Sequence, residues 1–488
     1  MDARHRDIDL ATYLHRAALA YPHRIAIRDE QGEVSYRELA RAIDASAVGL
    51  ARRGVGAGDR VALLLPNGPR WVESYFAVVQ IGATVVPVTT RIVARELDYL
   101  LADSTPRLII TEPAHAPLIE TIAYRCAVAY SAEELRVAND IFRPPIPPET
   151  IASILYTSGT TGQPKGTMRS QLAASFIVPI RQAAMGIDPS TRLLATTPMF
   201  HAAGHEFMMF QTLAAGGLVI SRNQFDEQEV AALLERERIT HAFFVPAMAA
   251  RLVPEIERQR IDTRALRLWC SAASPMDDTL RRRIRAAAPD AKLWNVYGVT
   301  EGGVATYLRD DEIDAQPGTC VGRPGPGAEV RCLAAEGDVG EIVVRSPEAM
   351  TGYWNRPAET AETLRDGWVH TGDLGRFDAA GLLHLVGRSK DMINSGGEKV
   401  YAAEVENVLA AASGVAELTI IGVPHPVWGE AVVAVAVGDE TAIEPLARAA
   451  LAAHKRPKRV VCVEALPRNS FGKVDKGMLR QRFARLFE

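Results

Sequence analysis

Short apolar runs alternate with segments of helical spacing over most of this chain, and that alternation limits the folds it can adopt. Apolar residues recur at helical intervals in residues 35–52 and 71–80, whereas residues 60–65 and 82–88 are short strand-like runs. The same rhythm returns between residues 193 and 294. Strands that alternate with helices favour parallel sheets covered by helices. The sequence therefore predicts an α/β fold.

The last third of the chain has a different sequence pattern. With 488 residues the chain exceeds one ordinary domain. Beyond about residue 317, Gly/Pro turns separate short β runs, and a new alternation of strands and helices begins after Gly387. We predict a large N-terminal domain of helix-covered sheets at residues 1–387, which includes a β-rich subdomain at about 317–387. A hinge at residues 388–390 and a small mobile α+β domain at 391–488 would follow.

Composition and charge exclude several classes of protein. The formal net charge of −4 gives no electrostatic case for binding nucleic acid. The charged N-terminus leads into no apolar signal segment, and the longest apolar stretch is interrupted by Glu73, Gln80 and Pro87, so we predict no integral membrane segment. The five cysteines lack a metal-ligand spacing and are typical of reduced thiols. A cytoplasmic location is expected.

A loop rich in small and hydroxyl residues follows the apolar run at 151–155. Residues 156–167 read Tyr-Thr-Ser-Gly-Thr-Thr-Gly-Gln-Pro-Lys-Gly-Thr. Small residues let backbone N–H groups approach a polyphosphate, hydroxyls add donors, and Lys165 supplies a mobile cation. The loop is not a Walker sequence, because no Gly-Lys-Ser/Thr closes it. From these residues alone, a triphosphate cradle and a flexible surface turn both remain open.

Several motifs in a fixed order give the chain a family resemblance. It resembles the adenylate-forming superfamily of acyl-CoA synthetases, adenylation domains and luciferases, and the resemblance runs nearly end to end. The motifs lie at residues 157–165, 198–201 (Pro-Met-Phe-His), 271–275 (Ser-Ala-Ala-Ser-Pro), 297–301 (Tyr-Gly-Val-Thr-Glu), 340–342 with 352–353, 368–373 (Trp-Val-His-Thr-Gly-Asp), 387–391 (Gly-Arg-Ser-Lys-Asp) and 467–473 (Pro-Arg-Asn-Ser-Phe-Gly-Lys).

The resemblance implies a two-step reaction with ATP, Mg²⁺ and CoA. A carboxylate would attack the α-phosphate of ATP to form an acyl-adenylate, and the thiol of CoA would then displace AMP. Glu301 and Thr160 match the residues that hold Mg²⁺. The residues that the resemblance assigns to ATP are Thr157, Ser158, Gly159, Thr160, Thr161, Gly162, Lys165, Ala272, Ala273, Ser274, Tyr297, Gly298, Thr300, Glu301, Asp373, Arg388 and Lys473.

Within that set the resemblance implies individual roles. Tyr297 matches the aromatic residue that lies against adenine, and Asp373 and Arg388 match residues that contact the ribose. Lys473 matches the lysine that the C-terminal domain brings to the α-phosphate during adenylation. Lys390 matches the hinge.

The resemblance also assigns residues to the CoA channel and to catalysis. Ser395, Gly396 and Gly397 match the segment that lines the thiol channel, although a simple β-turn is the alternative for the two glycines. His201 matches a residue near the carboxylate and the thiol path. Together with Lys165, Glu301 and Lys473, it completes the predicted catalytic set.

The acyl pocket is the least specified part of the site. The resemblance places it at His201, His205, Phe207, Met208, Arg251, Gly302 and Gly303. Phe207 and Met208 suit an apolar chain or ring, and the two glycines are expected to leave room for a long or bulky group. His205 and Glu206 are either a polar tip that reads a substrate hydroxyl or a pair at the rim of the pocket. Arg251 matches the arginine with which malonyl-CoA synthetases bind a second carboxylate, and a surface helix arginine is its alternative.

The sequence thus predicts an AMP-forming acyl-CoA synthetase for a fatty or related alkyl or aryl monocarboxylic acid. A malonate-like dicarboxylate and a carrier protein in place of CoA are the alternatives. A non-catalytic nucleotide-binding relative is disfavoured because Lys165, Glu301, Asp373, Arg388 and Lys473 are all present.

Overall fold

The computed structural model describes residues 9–137, 140–157, 164–274, 276–334, 338–468 and 474–488. The chain folds as two compact units. The first comprises Met1–Val330 and Val344–Val369, and the second comprises Arg331–Val343 and His370–Glu488. These units divide the chain earlier than residues 388–390, and the hinge at 388–390 stays a prediction.

The strands and helices of both units are numbered in chain order. The strands are β1 (Ile25–Arg28), β2 (Glu33–Ser35), β3 (Arg60–Leu63), β4 (Thr84–Pro87), β5 (Leu108–Ile110), β6 (Ala127–Ala129), β7 (Ile151–Thr157), β8 (Lys165–Ser170), β9 (Arg192–Ala195), β10 (Leu218–Ser221), β11 (His241–Phe243), β12 (Leu268–Ala272), β13 (Lys292–Val299), β14 (Gly303–Leu308), β15 (Cys320–Pro324), β16 (Glu329–Leu333), β17 (Gly340–Arg345), β18 (Gly352–Tyr353), β19 (Leu364–Arg365), β20 (Trp368–Phe377), β21 (Leu383–Arg388), β22 (Met392–Ser395), β23 (Glu398–Tyr401), β24 (Val415–His425), β25 (Gly429–Gly438) and β26 (Arg459–Cys462). The α-helices are α1 (Leu10–Ala20), α2 (Tyr36–Arg52), α3 (Pro69–Gln80), α4 (Ala94–Ser104), α5 (Ala116–Thr121), α6 (Gln171–Met185), α7 (Ala202–His205), α8 (Met209–Ala215), α9 (Glu227–Arg236), α10 (Pro246–Gln259), α11 (Asp278–Ala287), α12 (Asp310–Ile313), α13 (Pro357–Thr363), α14 (Ala402–Leu409), α15 (Ile443–Ala450) and α16 (Lys476–Arg482).

Two sheets organise the first unit. One has the order β2-β1-β10-β9-β11-β12-β13-β14-β15, with parallel pairing from β1 through β13 and antiparallel pairing at both ends. The other has the order β18-β8-β7-β4-β3-β5-β6, with parallel pairing from β7 to β6. In that second sheet, β7 and β8 form an antiparallel hairpin around the predicted phosphate loop.

The segment at residues 71–88 shows why the predicted pattern succeeds in the first unit. It forms α3, which begins at Pro69, and then β4. Proline suits the first turn of a helix because the N–H that it lacks would have no intrahelical partner. Trp71, Tyr75 and Phe76 are all buried in the hydrophobic core that α1, α2 and α3 share. The prediction of a buried helix followed by a strand is confirmed here.

The second unit contains strands covered on both faces. In its C-terminal part the sheet order is β23-β22-β25-β24, and β26 pairs in parallel with β25. Along β25, Val432 and Ala434 pack into the cluster that contains residues of α14 and α15. Val433 and Val435 pack into the opposite cluster, which contains Leu479 of α16. Successive side chains of a strand point to opposite faces, so a strand with both faces covered becomes a continuous apolar run.

These features confirm the predicted mixed α/β class with a large N-terminal and a smaller C-terminal domain. Among the residues that the structure describes, no helix is both long and apolar enough to cross a membrane.

Candidate active site

The predicted phosphate loop joins two paired strands. Thr157 ends β7 and pairs with Lys165, the first residue of β8. Ser158, Gly159, Thr160, Thr161 and Gly162 lie outside the described residues. The hairpin therefore fixes where the loop leaves the sheet and where it returns, and both of its described end residues belong to the predicted ATP site.

A tyrosine on the next strand contacts the side chain of Lys165. Tyr353 of β18 pairs with Thr167 of β8, and the Nζ atom of Lys165 lies 5.3 Å from the centroid of the Tyr353 ring. A cation at this distance from an aromatic face is attracted by the ring quadrupole. The ring thus keeps the ammonium group at the mouth of the phosphate hairpin.

Tyr353 also binds the predicted metal-site carboxylate. Its hydroxyl donates a hydrogen bond of 2.9 Å to Oε1 of Glu301. Burial and the adjacent Glu301 carboxylate raise the pKa of Tyr353, so its hydroxyl keeps its proton and remains a donor. The main-chain N–H of Met350 donates to the carbonyl oxygen of Glu301 at 2.8 Å. Tyr353 belongs to a sequence motif that we identified, but we predicted no role for it.

The donor set around Glu301 is compatible with a nucleotide-borne magnesium ion. Among the described residues no three His, Cys, Asp or Glu side chains form a cluster that could hold a metal by themselves. Mg²⁺ in nucleotide sites is usually bound through one or two carboxylates plus phosphate oxygens, so it needs no cage of protein ligands. A single carboxylate held by Tyr353 fits that requirement.

The predicted adenine segment lies on two neighbouring parallel strands. Ala272 ends β12 and is the register partner of Val296 on β13, which places the segment that follows beside Tyr297. Tyr297 is buried, whereas Ala273 and Ser274 are exposed. Ala273 has a φ of 75°, in the left-handed region that favours glycine. The chain therefore turns sharply at the point where the predicted base pocket begins.

The interpretation that Gly302 and Gly303 leave open space is wrong. Gly303 has a φ of 75°, and a Cβ atom there would lie 2.5 Å from Oε2 of Glu348. A Cβ atom at Gly302 would meet Val299 at 3.3 Å. At Gly303 the side chain of Glu348 already fills the space and the backbone conformation favours glycine, whereas at Gly302 a side chain would require Val299 to move by a few tenths of an ångström.

The segment that follows His201 is more deeply buried than the sequence suggested. His201 precedes α7 and is half-buried, and its ring lies 4.1 Å from that of Phe200. His205 is fully buried, and its ring packs 5.2 Å from Trp71 and 5.4 Å from Tyr75. It is therefore not a rim residue.

The protonation of His205 follows from that burial. Its Nδ1–H donates to the carbonyl oxygen of Met199 at 2.7 Å. Burial lowers the pKa of His205, which keeps the ring neutral. Phe207 and Met208 are buried in the same core, so this part of the predicted pocket is apolar.

Arg251 occupies the surface of α10. Its side chain is 59% exposed, forms an ion pair with Glu227, and lies 5.4 Å above the ring of Phe225. This placement corresponds to the surface-arginine alternative.

The predicted ribose residues lie together in the second unit. Asp373 on β20 accepts a hydrogen bond of 2.7 Å from Nε of Arg388 on β21. The turn before Asp373 is held by Glu341, whose carboxylate accepts from the N–H of Gly372 at 3.1 Å and contacts Nδ1 of His370 at 2.9 Å. The structure thus brings Asp373 and Arg388 together on adjacent strands.

The predicted hinge and thiol channel belong to the same unit. Lys390 lies in a short 3₁₀ turn, and its carbonyl oxygen accepts from Arg480. Ser395 is buried at the end of β22, and Gly396 and Gly397 have φ angles of 66° and 88°. Two successive positive φ angles form the two-residue turn of a β-hairpin, which was the simpler alternative for these glycines. Lys473 lies outside the described residues.

Sequence reasoning missed a group of buried charges in the first unit: of its four members only Glu206 was singled out, and it is buried rather than at a rim. The side chains of Arg169, Arg181, Glu206 and Glu348 are at most 3% exposed and form ion pairs with one another. Charged residues are almost never fully buried unless they are paired. A charged residue inside an otherwise apolar segment, such as Glu206 before Phe207, was the available signal.

Comparisons with known proteins agree with this geometry. Residues 14–354 match the AMP-binding enzyme family, and residues 404–473 match the AMP-binding enzyme C-terminal domain. A feruloyl-CoA synthase from Amycolatopsis sp is 37% identical over 98% of this chain and 100% of its own length. An indoleacetate–CoA ligase from Aromatoleum aromaticum is 34% identical over 98% of this chain and 99% of its own.

The structural neighbours include ATP-bound MatB from Rhodopseudomonas palustris. Its TM-score is 0.90 at 31% identity, and the match covers 99% of this chain and 100% of that one. The family implies the use of ATP and CoA. The chain belongs to the AMP-binding enzyme family and is an AMP-forming acyl-CoA synthetase.

Proposed function

We propose that this enzyme activates an aryl-substituted monocarboxylic acid and transfers the acyl group to CoA. The observation that carries this proposal is its 37% identity, over nearly the whole of both chains, to a protein named feruloyl-CoA synthase. A second relative is named for indoleacetate, another acid with an aromatic ring. The buried apolar segment at Phe207 and Met208 supports a ring or alkyl chain as the acyl group.

The arginines around this segment argue against a dicarboxylate. A second substrate carboxylate needs a positive partner within the pocket. Arg251 lies on the surface in an ion pair with Glu227. Arg169 and Arg181 are each paired with a buried glutamate. A malonate-like substrate therefore has weaker support than a monocarboxylic acid.

The first step joins the acid to the nucleotide. A carboxylate oxygen attacks the α-phosphorus of ATP, the bond from that phosphorus to the bridging oxygen breaks, and pyrophosphate leaves. Lys165 and the loop at residues 157–165 bind the leaving phosphates, which lowers the barrier by stabilising the charge that develops on them. Glu301 would hold the Mg²⁺ that neutralises phosphate charge, and Tyr353 orients its carboxylate.

The second step transfers the acyl group. The thiol sulfur of CoA attacks the carbonyl carbon, the bond from that carbon to the AMP oxygen breaks, and the thiol proton is lost. We assign His201 to the path of the carboxylate and thiol. Asp373 and Arg388 would bind the ribose, and Ser395 with the two following glycines would line the channel.

A substrate screen tests the acid. We expect the highest kcat/KM for acids whose carboxylate is attached through a short linker to an aromatic ring, measured as pyrophosphate release with CoA present. Fatty acids of increasing length are the second candidate, because alkyl chains also suit an apolar pocket. Turnover of malonate-like acids alone, with loss of that activity in Arg251→Ala, would overturn the proposal. A parallel assay with a holo carrier protein in place of CoA tests the other acceptor.

The role of Lys473 is tested by separating the half-reactions. We expect Lys473→Ala to abolish adenylate formation, measured by ATP–pyrophosphate exchange, while thioester formation from a supplied acyl-adenylate persists. A compact ammonium that neutralises charge at the α-phosphate acts only in the first half-reaction. Equal loss of both half-reactions would contradict the assignment of Lys473.

A further inference from the structure

Four buried charged side chains form one network in the first unit. Arg169 of β8 donates from Nε to Oε1 of Glu206 at 3.2 Å, and Arg181 of α6 pairs with Glu348. Arg181 also donates to the main-chain carbonyl oxygen of Glu206, which joins the two pairs. The network therefore connects β8, which follows the phosphate loop, with the segment that follows His201.

The same network binds the main chain on both sides of Glu301. Nη2 of Arg169 donates to the carbonyl oxygen of Thr300 at 2.9 Å. Oε2 of Glu348 accepts from the N–H of Val304 at 3.2 Å. The residues from 300 to 304 are thus held at each end by a charged side chain that is itself buried.

Stability alone does not account for this arrangement. Removing two charges from water costs more than their attraction returns unless the geometry is excellent, and hydrophobic pairs of similar volume often stabilise a protein as well or better. Within the described residues, Nη1 of Arg169 and Nε of Arg181 also have no hydrogen-bond partner although they are buried. The planar fork of an arginine does provide what a hydrophobic pair cannot, namely two directed N–H groups at a fixed angle.

We propose that Arg169 is a positioning residue for Glu301. Its Nε is anchored on Glu206, and its Nη2 fixes the Thr300 carbonyl and so the main chain from which the Glu301 side chain extends. The hydrogen bond from Tyr353 then sets the direction of the carboxylate. This inference rests on the proposed role of Glu301 in holding Mg²⁺ with ATP.

The experiment compares stability with the binding of ATP in the presence and absence of Mg²⁺. Arg169→Met leaves Glu206 buried without its partner, so we expect a large fall in melting temperature. Arg169→Met/Glu206→Leu removes both charges, and we expect the melting temperature to return to near that of the wild type. In that double variant we expect MgATP affinity, measured by isothermal titration calorimetry, to stay at least about tenfold weaker. Affinity for ATP without Mg²⁺ should change much less.

Arg169→Lys provides an independent test that keeps the charge. A lysine ammonium can pair with Glu206, but it lacks the fork that reaches the Thr300 carbonyl at the same time. We expect nearly normal stability and weakened MgATP binding. The control is Arg136→Met/Glu73→Leu, which removes another ion pair with a buried glutamate, on α3, and should leave MgATP affinity unchanged.

The measurements distinguish a failure of the positioning role of Arg169 from a failure of the proposed Mg²⁺-binding role of Glu301. Wild-type MgATP affinity in both Arg169→Lys and the stable double variant would overturn the role of Arg169. If the double variant remains unstable, the MgATP affinity of Arg169→Lys alone tests the role of Arg169, and wild-type affinity there would overturn it. Glu301→Gln is measured in parallel, and unchanged MgATP affinity there would instead overturn the proposed role of Glu301.

Discussion

Two carboxylates predicted to contact the nucleotide, Glu301 and Asp373, are held in contrasting ways. Glu301 in the first unit is bound by Tyr353, which is buried, and its flanking main chain is held by side chains that are at most 3% exposed. Asp373 in the second unit is itself buried, whereas Glu301 is half-buried, and the side chain of Arg388, the partner of Asp373, is 45% exposed.

The difference shows where function and stability are coupled. An ion pair with one exposed partner contributes less to folding than a fully buried pair, since water can solvate the exposed charge when the pair opens. A buried charge that loses its partner destabilises the protein strongly, because nothing else compensates it. Changes around Glu301 should therefore affect folding and activity together, whereas changes around Asp373 should affect activity more than folding.

The largest expected effect tests this contrast in stability directly. Arg181→Met leaves Glu348 buried without its charge partner, so we expect a loss of about 3–5 kcal/mol in the free energy of unfolding. Arg388→Met removes a partner whose side chain is 45% exposed, so water can replace part of the contact with Asp373, and we expect a smaller loss of about 1–2 kcal/mol. Urea unfolding followed by circular dichroism, which reports both units, measures the two losses. Tryptophan fluorescence follows the first unit, since Trp428 alone of the six tryptophans lies in the second.

A matched double variant controls for the loss of packing. Arg181→Met/Glu348→Leu removes both charges and should recover most of the stability that Arg181→Met loses. Losses of similar size in Arg181→Met and Arg388→Met would show that the two regions do not differ as proposed.

The next effect concerns the Glu301 carboxylate itself. Tyr353→Phe keeps the ring above Lys165 but removes the hydrogen bond to Glu301. A hydrogen bond to a charged group contributes about 1.5–3 kcal/mol, so we expect kcat/KM for ATP–pyrophosphate exchange to fall by at least about tenfold. Tyr124→Phe is the control, because that hydroxyl donates to the carbonyl of Pro106, away from the predicted site. Equal effects of the two variants would contradict an orienting role for Tyr353.

Local patterns in the sequence predicted much of this fold. The spacing of apolar residues was enough to identify α3 and β4, because a helix or strand that is buried carries apolar residues at regular intervals along the sequence. The loop after β7 was predicted from its small residues and lysine, but the pairing of β7 with β8 was not. The motif order pointed to Glu301 and Asp373.

Contacts between distant parts of the chain were not predictable in the same way. Arg169 and Glu206 meet only because β8 and the end of α7 come together in the fold. The local sequence around either residue does not indicate which residue it will pair with. The error at Gly303 has a similar cause. A glycine in a sequence does not show whether its missing side chain leaves space or whether a distant residue, here Glu348, already occupies it.

A smaller expected effect is that the stability of the first unit depends on pH. Burial lowers the pKa of His15, His205 and His241, all of which lie in the first unit. The unfolded chain takes up a proton on each near pH 6.5, whereas the folded chain does not, so the stability of the first unit should fall as the pH drops below about 6.5. Each histidine contributes at most about 1.4 kcal/mol per pH unit. His205→Gln removes one titrating group, so its stability should depend less steeply on pH between 7.5 and 5.5, measured by tryptophan fluorescence in urea; an unchanged slope would contradict a neutral buried His205.

The smallest effect compares the turns of the two regions. Ala273 in the first unit has a φ of 75°, while Gly396 in the second has a φ of 66°. A left-handed conformation costs a non-glycine residue about 1–2 kcal/mol, and glycine loses about 0.4–1 kcal/mol more in conformational entropy on folding. Ala273→Gly should therefore stabilise the first unit by about 0.5 kcal/mol, and Gly396→Ala should destabilise the second by a similar amount. Urea midpoints that move in the same direction for both variants would show that the strain at Ala273 is relieved by other contacts in the first unit.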